Sequence, residues 1–249
     1  MNAKMKVLSL ALVGLCGFAG SALAACPGGP AVADGGAWTS KAQLSGGTVA
    51  IATPGLDSSE CKLNAQLGNS FASLATVLDD TPANEPRYRF QFLINADATG
   101  NFGLTDAVSA FSANAAAAAN GRVPILQLAL VPGASGAKRI SFVASCAGGA
   151  SFRCSGQTAD LPAGVNRIEV DLTVGPSGSL KYWLNAPAGT VEPAATGTIA
   201  ITGGNADWTG VDKGVLGLGA PSPSFKNTHN GQVIGFDTFD SRRSTYIGS

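Results

Sequence analysis

The chain has 249 residues, and its 16 basic and 16 acidic residues give a formal net charge of zero at pH 7. Only 13% of the residues are charged, whereas 33 are glycine. Without a basic excess, neither nucleic acid nor an anionic membrane surface is expected as a partner.

Residues 1–24 have the pattern of an export signal. Lys4 and Lys6 precede an apolar run over residues 7–19, and small residues fill the cleavage-site positions within residues 21–24. The run is too short for a membrane span, and nothing after it is long and apolar enough to be one. Cleavage would remove two lysines and leave a net charge of about −2. The sequence therefore predicts a secreted or periplasmic protein.

The cysteines offer two interpretations of the N-terminus. Removal of the signal leaves an even set, Cys26, Cys61, Cys146 and Cys154. Four cysteines in an oxidising compartment predict two disulfides. Cys146 and Cys154 flank a short hairpin-like segment and pair first, which leaves Cys26 for Cys61. Residues 23–26 also fit a lipobox, but a lipid anchor on Cys26 would leave Cys61 unpaired, so plain secretion is favoured over a lipoprotein.

Short strands separated by Gly, Pro, Asn and Asp dominate the mature sequence. Residues 25–47 predict an irregular N-terminal arm with one anchor, Trp38. The predicted strands are Thr48–Ala52, Lys62–Leu67, Leu74–Leu78, Arg87–Asn95, Val123–Val131, Ile140–Ser145, Arg167–Val174, Leu180–Asn185, Val215–Gly219 and Val233–Asp240. Such a series predicts one all-β domain over residues 48–249, a sandwich or a barrel.

Residues 105–121 are ambiguous. A Thr-Asp start, five consecutive alanines and an Asn-Gly end are typical of a helix. The position between two strands of an all-β chain instead suits a strand at Val108–Phe111. We favour the strand, because tertiary pairing commonly overrides local propensity.

Alternation within the strands predicts which side chains face outward. Successive side chains of a strand point to opposite faces, so the apolar residues of three central strands face the core. The side chains left on the outer faces are Arg87, Arg89 and Gln91, then Arg167, Glu169, Asp171 and Thr173, and finally Lys181 and Trp183. A single polar face per sheet indicates a sandwich.

The C-terminal residues 231–248 have the pattern of a strand followed by a fixed turn. Phe236 and Phe239 are three residues apart, which predicts either a bulge near residues 237–238 or a strand covered on both faces. A short closing strand is expected at Tyr246–Ile247. The two arginines of the run are expected to pair with nearby carboxylates or carbonyls and to fix the turn: Arg242 and Arg243, with Asp237 or Asp240.

These elements resemble a known superfamily. The strand 166–171, the hairpin 178–185, the Leu-Gly strand 215–219 and the final strand with Phe236-Asp237 are similar to the laminin G-like branch of the concanavalin A-like lectin/glucanase superfamily. Two further segments look like a group of uncharacterised exported bacterial proteins: residues 75–90 and 239–248. The resemblance covers about residues 47–249 and implies a jelly-roll β-sandwich of two antiparallel sheets, but that fold hosts sugar binders, enzymes and adhesion modules alike.

Two motifs bear on catalysis. Laminarinase-type hydrolases of this superfamily carry Glu-x-Asp-x-Glu on one strand face, and here Glu169 and Asp171 are followed by Thr173 where the second glutamate would stand. Two solvated acids on a polar face are therefore the favoured interpretation. His229, the single histidine, precedes an Asn-Gly turn signal and is expected on a surface turn. A lyase with a Tyr or His base and a neutralising Arg stays open.

Sugar binding requires an exposed aromatic ring beside planar hydrogen-bonding groups. Trp183 is predicted to face outward, and Trp208 lies in a Gly-rich loop. The candidate ligand-binding residues are Trp183, Lys181, Trp208, Arg167, Glu169 and Asp171. The alternative is that a loop covers Trp183 and that Trp208 closes the end of the sandwich.

The sequence predicts no cofactor, with calcium as an alternative at Asp97, Thr99 and Asn101, where an ordinary polar turn is the simpler interpretation. Taken together, these features favour an exported, non-catalytic binding or cell-surface module for extracellular glycan. Two alternatives remain: a polysaccharide-cleaving enzyme, hydrolase or lyase, and an adhesive module that binds a surface protein.

Overall fold

The computed structural model describes residues 26–119, 122–145, 155–201 and 205–248. Its strands are β1 Ser40–Leu44, β2 Thr48–Ala52, β3 Lys62–Gln66, β4 Leu74–Asp79, β5 Arg87–Asn95, β6 Val108–Ala119, β7 Arg122–Pro132, β8 Lys138–Ala144, β9 Ser155–Leu161, β10 Asn166–Thr173, β11 Ser179–Leu184, β12 Gly197–Ala200, β13 Lys213–Gly219 and β14 Val233–Arg242. One α-helix, α1, spans Pro223–His229, and short 3-10 turns occur at Val32–Asp34, Asp97–Thr99 and Ala134–Gly136.

The strands form two antiparallel sheets of seven strands each. The order is β1-β4-β13-β6-β7-β8-β9 in the first sheet and β12-β11-β10-β5-β14-β3-β2 in the second. Apolar side chains from both inner faces meet between the sheets, where the Phe90 and Phe111 ring centroids lie 4.0 Å apart and those of Phe142 and Tyr182 lie 4.1 Å apart. The predicted jelly-roll β-sandwich is therefore confirmed.

All ten strands of the prediction are present, with bounds that differ by two residues at most. The strand expected at 108–111 is also present and runs on through Ala119 as β6. Three strands were not predicted, β1, β9 and β12, and β1 lies within the arm that was expected to be irregular. The strand expected at Tyr246–Ile247 is wrong, because this segment lies over the outer face of the second sheet without joining a ladder.

The closing strand β14 contains the predicted bulge. Its pairing with β5 shifts register between Asp237 and Asp240, and Thr238 has a φ of 44°. The extra residues let Phe236 and Phe239 both pack on the core. Both arginines form the predicted kind of ion pair. Arg242 pairs with Asp240 at 2.9 Å, as predicted, whereas Arg243 pairs with a different carboxylate, Glu85, at 2.6 Å.

A disulfide joins Cys26 to Cys61, as predicted, and ties the arm to the start of β3. Closing a loop of 35 residues in the unfolded chain stabilises a fold by about 3–4 kcal/mol. The sulfur of Cys26 is thereby occupied, which argues against a lipid anchor at this residue. The expected signal peptide and the Cys146–Cys154 pair lie outside the described residues.

The Cys26–Cys61 disulfide fits an extracellular or periplasmic protein. Within the described residues, no helix has the length and apolarity needed to span a bilayer.

Candidate functional site

Three of the six residues expected to bind sugar lie together on the outer face of the second sheet, Glu169, Asp171 and Trp183, and all three are buried. Glu169 pairs with Trp183 and Asp171 pairs with Lys181 across β10 and β11. Of these, Trp183 is 1% exposed and Glu169 is 2% exposed. Glu169, Asp171 and Trp183 belong to a larger group of interacting side chains, which we call the outer-face cluster. Its members are Arg87, Arg89, Glu169, Asp171, Trp183, Glu192 and Tyr246.

Arg89 of β5 is the centre of the outer-face cluster and is itself fully buried. Its Nε donates to Glu169 Oε1 at 2.6 Å, and its Nη1 donates to Glu192 Oε2 at 2.9 Å. The guanidinium carbon lies 4.5 Å from the Trp183 ring centroid and 4.9 Å from that of Tyr246. A buried charge is tolerated only with partners, and Arg89 has both kinds: carboxylates that form ion pairs with it and two aromatic rings that make cation–π contacts.

Arg87 and Tyr246 complete the outer-face cluster. The Arg87 guanidinium donates to both oxygens of Asp171, at 2.9 and 2.6 Å, and this hydrogen bonding raises the pKa of Arg87. Burial, followed by the nearby charge of Glu169, raises the pKa of the Tyr246 phenol. The expectation that Glu169 and Asp171 are solvated acids is therefore wrong.

Two segments cover the outer-face cluster. From the C-terminus, the backbone N–H groups of Ile247 and Gly248 donate to the two carboxylate oxygens of Glu169, at 3.0 and 3.2 Å. From the loop between β11 and β12, the carbonyl of Pro193 accepts a 3.0 Å hydrogen bond from Trp183 Nε1. Trp183 is thus not an exposed platform, and the covering loop weighed as its alternative is what the structure contains.

The other three predicted ligand-binding residues are dispersed. Lys181 is exposed on β11, and Trp208 is buried in the main core. Arg167 faces a separate groove on the same outer face. The structure therefore does not assemble the six predicted residues into one open site.

His229 is a buried residue, and the expectation of a surface turn is wrong. Ser222 caps α1 by accepting the Phe225 N–H at 3.1 Å, and Pro223 occupies the first turn, so the Asn-Gly signal ends a helix here. His229 Nε2 lies 2.7 Å from Asp106 Oδ2. Its Nδ1 lies 2.9 Å from Gln232 Oε1. With both ring nitrogens engaged and the side chain 2% exposed, this histidine holds the end of the sandwich together.

Asp106 gives stability a testable dependence on pH. Burial opposes ionisation of its carboxyl group, but hydrogen bonds from Ser224, His229 and the Gly103 N–H outweigh burial and lower the pKa of Asp106. A carboxyl with a lowered pKa stabilises the fold above its unfolded pKa of about 3.9 and loses that contribution as the pH falls through the folded value. Urea midpoints of wild type and Asp106→Asn should therefore differ at neutral pH and converge below about pH 4. A gap that persists in acid would contradict this assignment.

A well-formed cavity lies elsewhere, at the bulge of β14. It has a volume of about 400 Å³ and is lined by residues of both sheets. We call it the bulge pocket, and the side chains that bear on its chemistry are Trp38, Lys62, Asp79, Asp237, Phe239 and Asp240. Its size and its mixture of apolar walls and converging polar groups are typical of ligand sites.

An aromatic pair forms one wall of the bulge pocket. The ring centroids of Trp38 and Phe239 lie 4.7 Å apart, and both rings are only partly buried. Thr238, between Asp237 and Phe239 in the chain, is a β-branched residue at positive φ. Such strained backbone is found preferentially at functional sites, because surrounding structure must hold it in place.

Three carboxylates and one ammonium group line the rest of the bulge pocket. Asp237 accepts hydrogen bonds from the Leu56 N–H at 2.7 Å and the Ser59 hydroxyl at 2.5 Å. Asp79 accepts one from the Ser241 hydroxyl at 3.3 Å. Among the described residues, Lys62 has no ion-pair partner. The pocket thus contains proton donors and acceptors and an unpaired cation beside an aromatic surface of the kind that suits stacking of a sugar ring.

The sequence did not single out the bulge pocket. Asp237 and Asp240 were named as partners for arginines, and Trp38 was named as an anchor of the arm. The available signal was the three-residue spacing of Phe236 and Phe239, since bulges are enriched next to active sites.

For metals, no group of three His, Cys, Asp or Glu side chains within the described part of the chain is placed to hold an ion. Asp97 accepts the Gly164 N–H at 2.8 Å, and the Thr99 hydroxyl donates to the Ala96 carbonyl at 2.7 Å. Calcium at Asp97, Thr99 and Asn101 stays a prediction.

No protein-family model matches the chain. No curated protein sequence matches it either.

Solved structures do resemble it. One is an endo-β-1,4-glucuronan lyase from the fungus Trichoderma reesei, with a TM-score of 0.60, 12% identity, and coverage of 83% of this chain and 91% of that one. Another is the alginate lyase Aly36B, with a TM-score of 0.61, 11% identity, and coverage of 90% and 95%. A third is the cellulose-induced protein Cip1, with a TM-score of 0.51, 15% identity, and coverage of 83% and 91%. At such identities the likeness establishes the fold, which is consistent with a concanavalin A-like sandwich.

These similarities correct the functional expectation. A non-catalytic binding module was predicted, with enzymatic activity disfavoured, whereas two of the three similar structures are polysaccharide lyases. The comparison favours the alternative of a polysaccharide-cleaving enzyme.

Proposed function

We propose that the protein cleaves an extracellular polysaccharide and that the bulge pocket is its active site. The observation that carries this proposal is the convergence in one cavity of about 400 Å³ of an aromatic wall, three carboxylates and an unpaired lysine beside the strained bulge. The polysaccharide lyases that share the fold support the same class of reaction.

The proposed reaction is β-elimination at a uronate unit. The sugar ring stacks on Trp38 and Phe239, and Lys62 neutralises the uronate carboxylate, which makes the proton on the adjacent carbon easier to remove. The carboxylate of Asp240 accepts that proton, and the electron pair left behind forms a double bond as the glycosidic C–O bond breaks. A protonated group of the pocket or water supplies the proton for the leaving oxygen.

Hydrolysis is the second candidate, favoured by the presence of three carboxyl groups in one pocket. Glycoside hydrolysis needs one carboxyl as an acid and a second as a base or nucleophile. The two reactions differ in their products, because only elimination creates an unsaturated sugar.

We also propose that the protein acts outside the cytoplasm and belongs to the laminin G-like branch of its superfamily. The Cys26–Cys61 disulfide and the export-signal pattern of the sequence support the location. The hairpin formed by β10 and β11, followed by the Leu-Gly strand β13, supports the branch.

A panel of polysaccharides tests the proposed reaction. Purified protein should release new reducing ends from at least one polyuronate, with a parallel rise in the ultraviolet absorbance of an unsaturated product. New reducing ends without that absorbance would select hydrolysis. No new chain ends from polyuronates, neutral β-glucans or sulfated glycans would overturn the proposal.

A further inference from the structure

We infer that a second groove on the outer face of the second sheet binds an anionic group of the polysaccharide, an inference that rests on the proposed function for the nature of the ligand. The groove has a volume of about 380 Å³. Its walls are formed by Leu56, Asp57, Leu93, Val165, Arg167 and Asn185.

Arg167 is the residue that points to an anion. Six arginines have side chains that the structure describes, and five of them form ion pairs: Arg87, Arg89, Arg139, Arg242 and Arg243. Arg167 forms none. Its Nε is buried without a hydrogen-bond partner, and its Nη1 reaches only the Ala186 carbonyl, at 3.5 Å. A buried N–H without an acceptor is costly, and the guanidinium lines the groove, so it is available to donate to a carboxylate or sulfate that enters the groove.

The surroundings of Arg167 leave it unpaired for a structural reason. Glu169 is the acid nearest along the same strand face, and its two oxygens are already occupied by Arg89, Ile247 and Gly248. Asp57 also lines the groove, and its carboxylate accepts the Ser58 N–H at 2.9 Å. The Glu169 carboxylate is thus used elsewhere, and Arg167 faces the groove without an ion pair, although Asp57 also lines it.

The remaining walls suit a sugar. Leu56, Leu93 and Val165 provide an apolar surface, and Val165 is 41% exposed. Sugar rings present apolar C–H faces and a polar rim, so a uronate unit fits with its ring on the apolar wall and its charged group on Arg167. The class of ligand is therefore an anionic glycan unit, with carboxylate or sulfate as the charged group.

The groove and the bulge pocket are linked by a hydrogen bond. Leu56 lines the groove, and its N–H donates to Asp237, which lines the bulge pocket. The loop that carries Leu56 and Ser59 thus contacts a residue of the bulge pocket and lines the groove, and a polysaccharide that crosses this loop occupies both cavities. In this arrangement Arg167 holds a unit of the chain away from the bond that is cleaved.

Affinity electrophoresis in native gels tests the groove without relying on cleavage. The gels contain a polyuronate, a sulfated dextran or neutral dextran, and the proteins are wild type, Arg167→Gln and, as the matched control, Lys181→Gln. Lys181 is an exposed cation on the same face outside the groove. We expect wild type and Lys181→Gln to be retarded in at least one anionic gel, and Arg167→Gln to bind roughly 10–100-fold more weakly, as for a lost hydrogen bond to a charged group.

Each outcome is decisive. Retardation in the polyuronate gel alone identifies a carboxylate ligand, and retardation in both anionic gels identifies a general anion subsite. Equal binding by wild type and Arg167→Gln, or no retardation of wild type in an anionic gel, would overturn the inference. If Arg167-dependent retardation occurs but no polysaccharide is cleaved, the groove stands and the proposed function fails. If cleavage occurs and Arg167→Gln leaves both retardation and KM unchanged, the proposed function stands and the inference about the groove fails.

Discussion

Replacing Arg89 with methionine should lower the free energy of unfolding by about 3–5 kcal/mol. Arg89 is fully buried, and it neutralises Glu169, which is 2% exposed. Removing the guanidinium leaves a carboxylate inside the protein without its charge partner, and the aromatic rings of Trp183 and Tyr246 lose the cation that both contact. Equilibrium urea denaturation at neutral pH measures the effect.

Arg139→Met is the matched control for Arg89→Met. Arg139 pairs with Asp160 at 2.9 Å, but its side chain is 37% exposed and that of Asp160 is 87% exposed. An exposed pair contributes about 0–1 kcal/mol, so this variant should unfold close to wild type. The double variant, which carries both Arg89→Met and Glu169→Met, should be more stable than Arg89→Met alone because it removes the unpaired charge. Equal effects of Arg89→Met and Arg139→Met would show that the outer-face cluster is not a buried ion-pair network.

The largest effect on activity is expected at Lys62 and Asp240. With a polysaccharide that wild type cleaves, Lys62→Gln and Asp240→Asn should each lower kcat/KM by roughly 10²–10⁴-fold, the range for loss of a positioned acid, base or charge-stabilising group. Both side chains line the bulge pocket and are partly exposed, so the substitutions are not expected to unfold the protein. Initial rates of product release measure the effect.

Lys181→Gln serves as the control for the Lys62 variant, because it removes an equal charge from an exposed site outside the bulge pocket. It should retain the wild-type kcat/KM. Trp38→Ala should act mainly through a higher KM, since the ring is assigned to sugar stacking. Unaltered rates in both Lys62→Gln and Asp240→Asn would place the chemistry outside the bulge pocket.

Much of the sandwich follows from local sequence patterns. In β5, Phe90 and Phe92 alternate with Arg89 and Gln91, and this period of two both identifies the strand and assigns its faces. The strands that were missed are weak in this signal. In β9, for example, a single side chain of seven residues is buried, because the strand lies at the edge of its sheet.

The candidate site is less predictable, because it depends on contacts between distant segments. Alternation places Trp183 on the outer face correctly, but whether it is exposed depends on Pro193 and on the C-terminal residues that fold over it. His229 illustrates the same limit. Its burial depends on Asp106, which is 123 residues away in the chain. The pattern of residues within one strand or helix carries no information about which distant segments of the chain cover a side chain.

The measurement that tests the central claim most directly is the chain-length distribution of a polyuronate, determined by size-exclusion chromatography before and after incubation with the protein. If the bulge pocket is an active site, wild type should shorten the chains progressively, whereas Lys62→Gln should leave them close to their starting length. Chains of unchanged length in the presence of a protein that nevertheless binds the polymer would contradict the account.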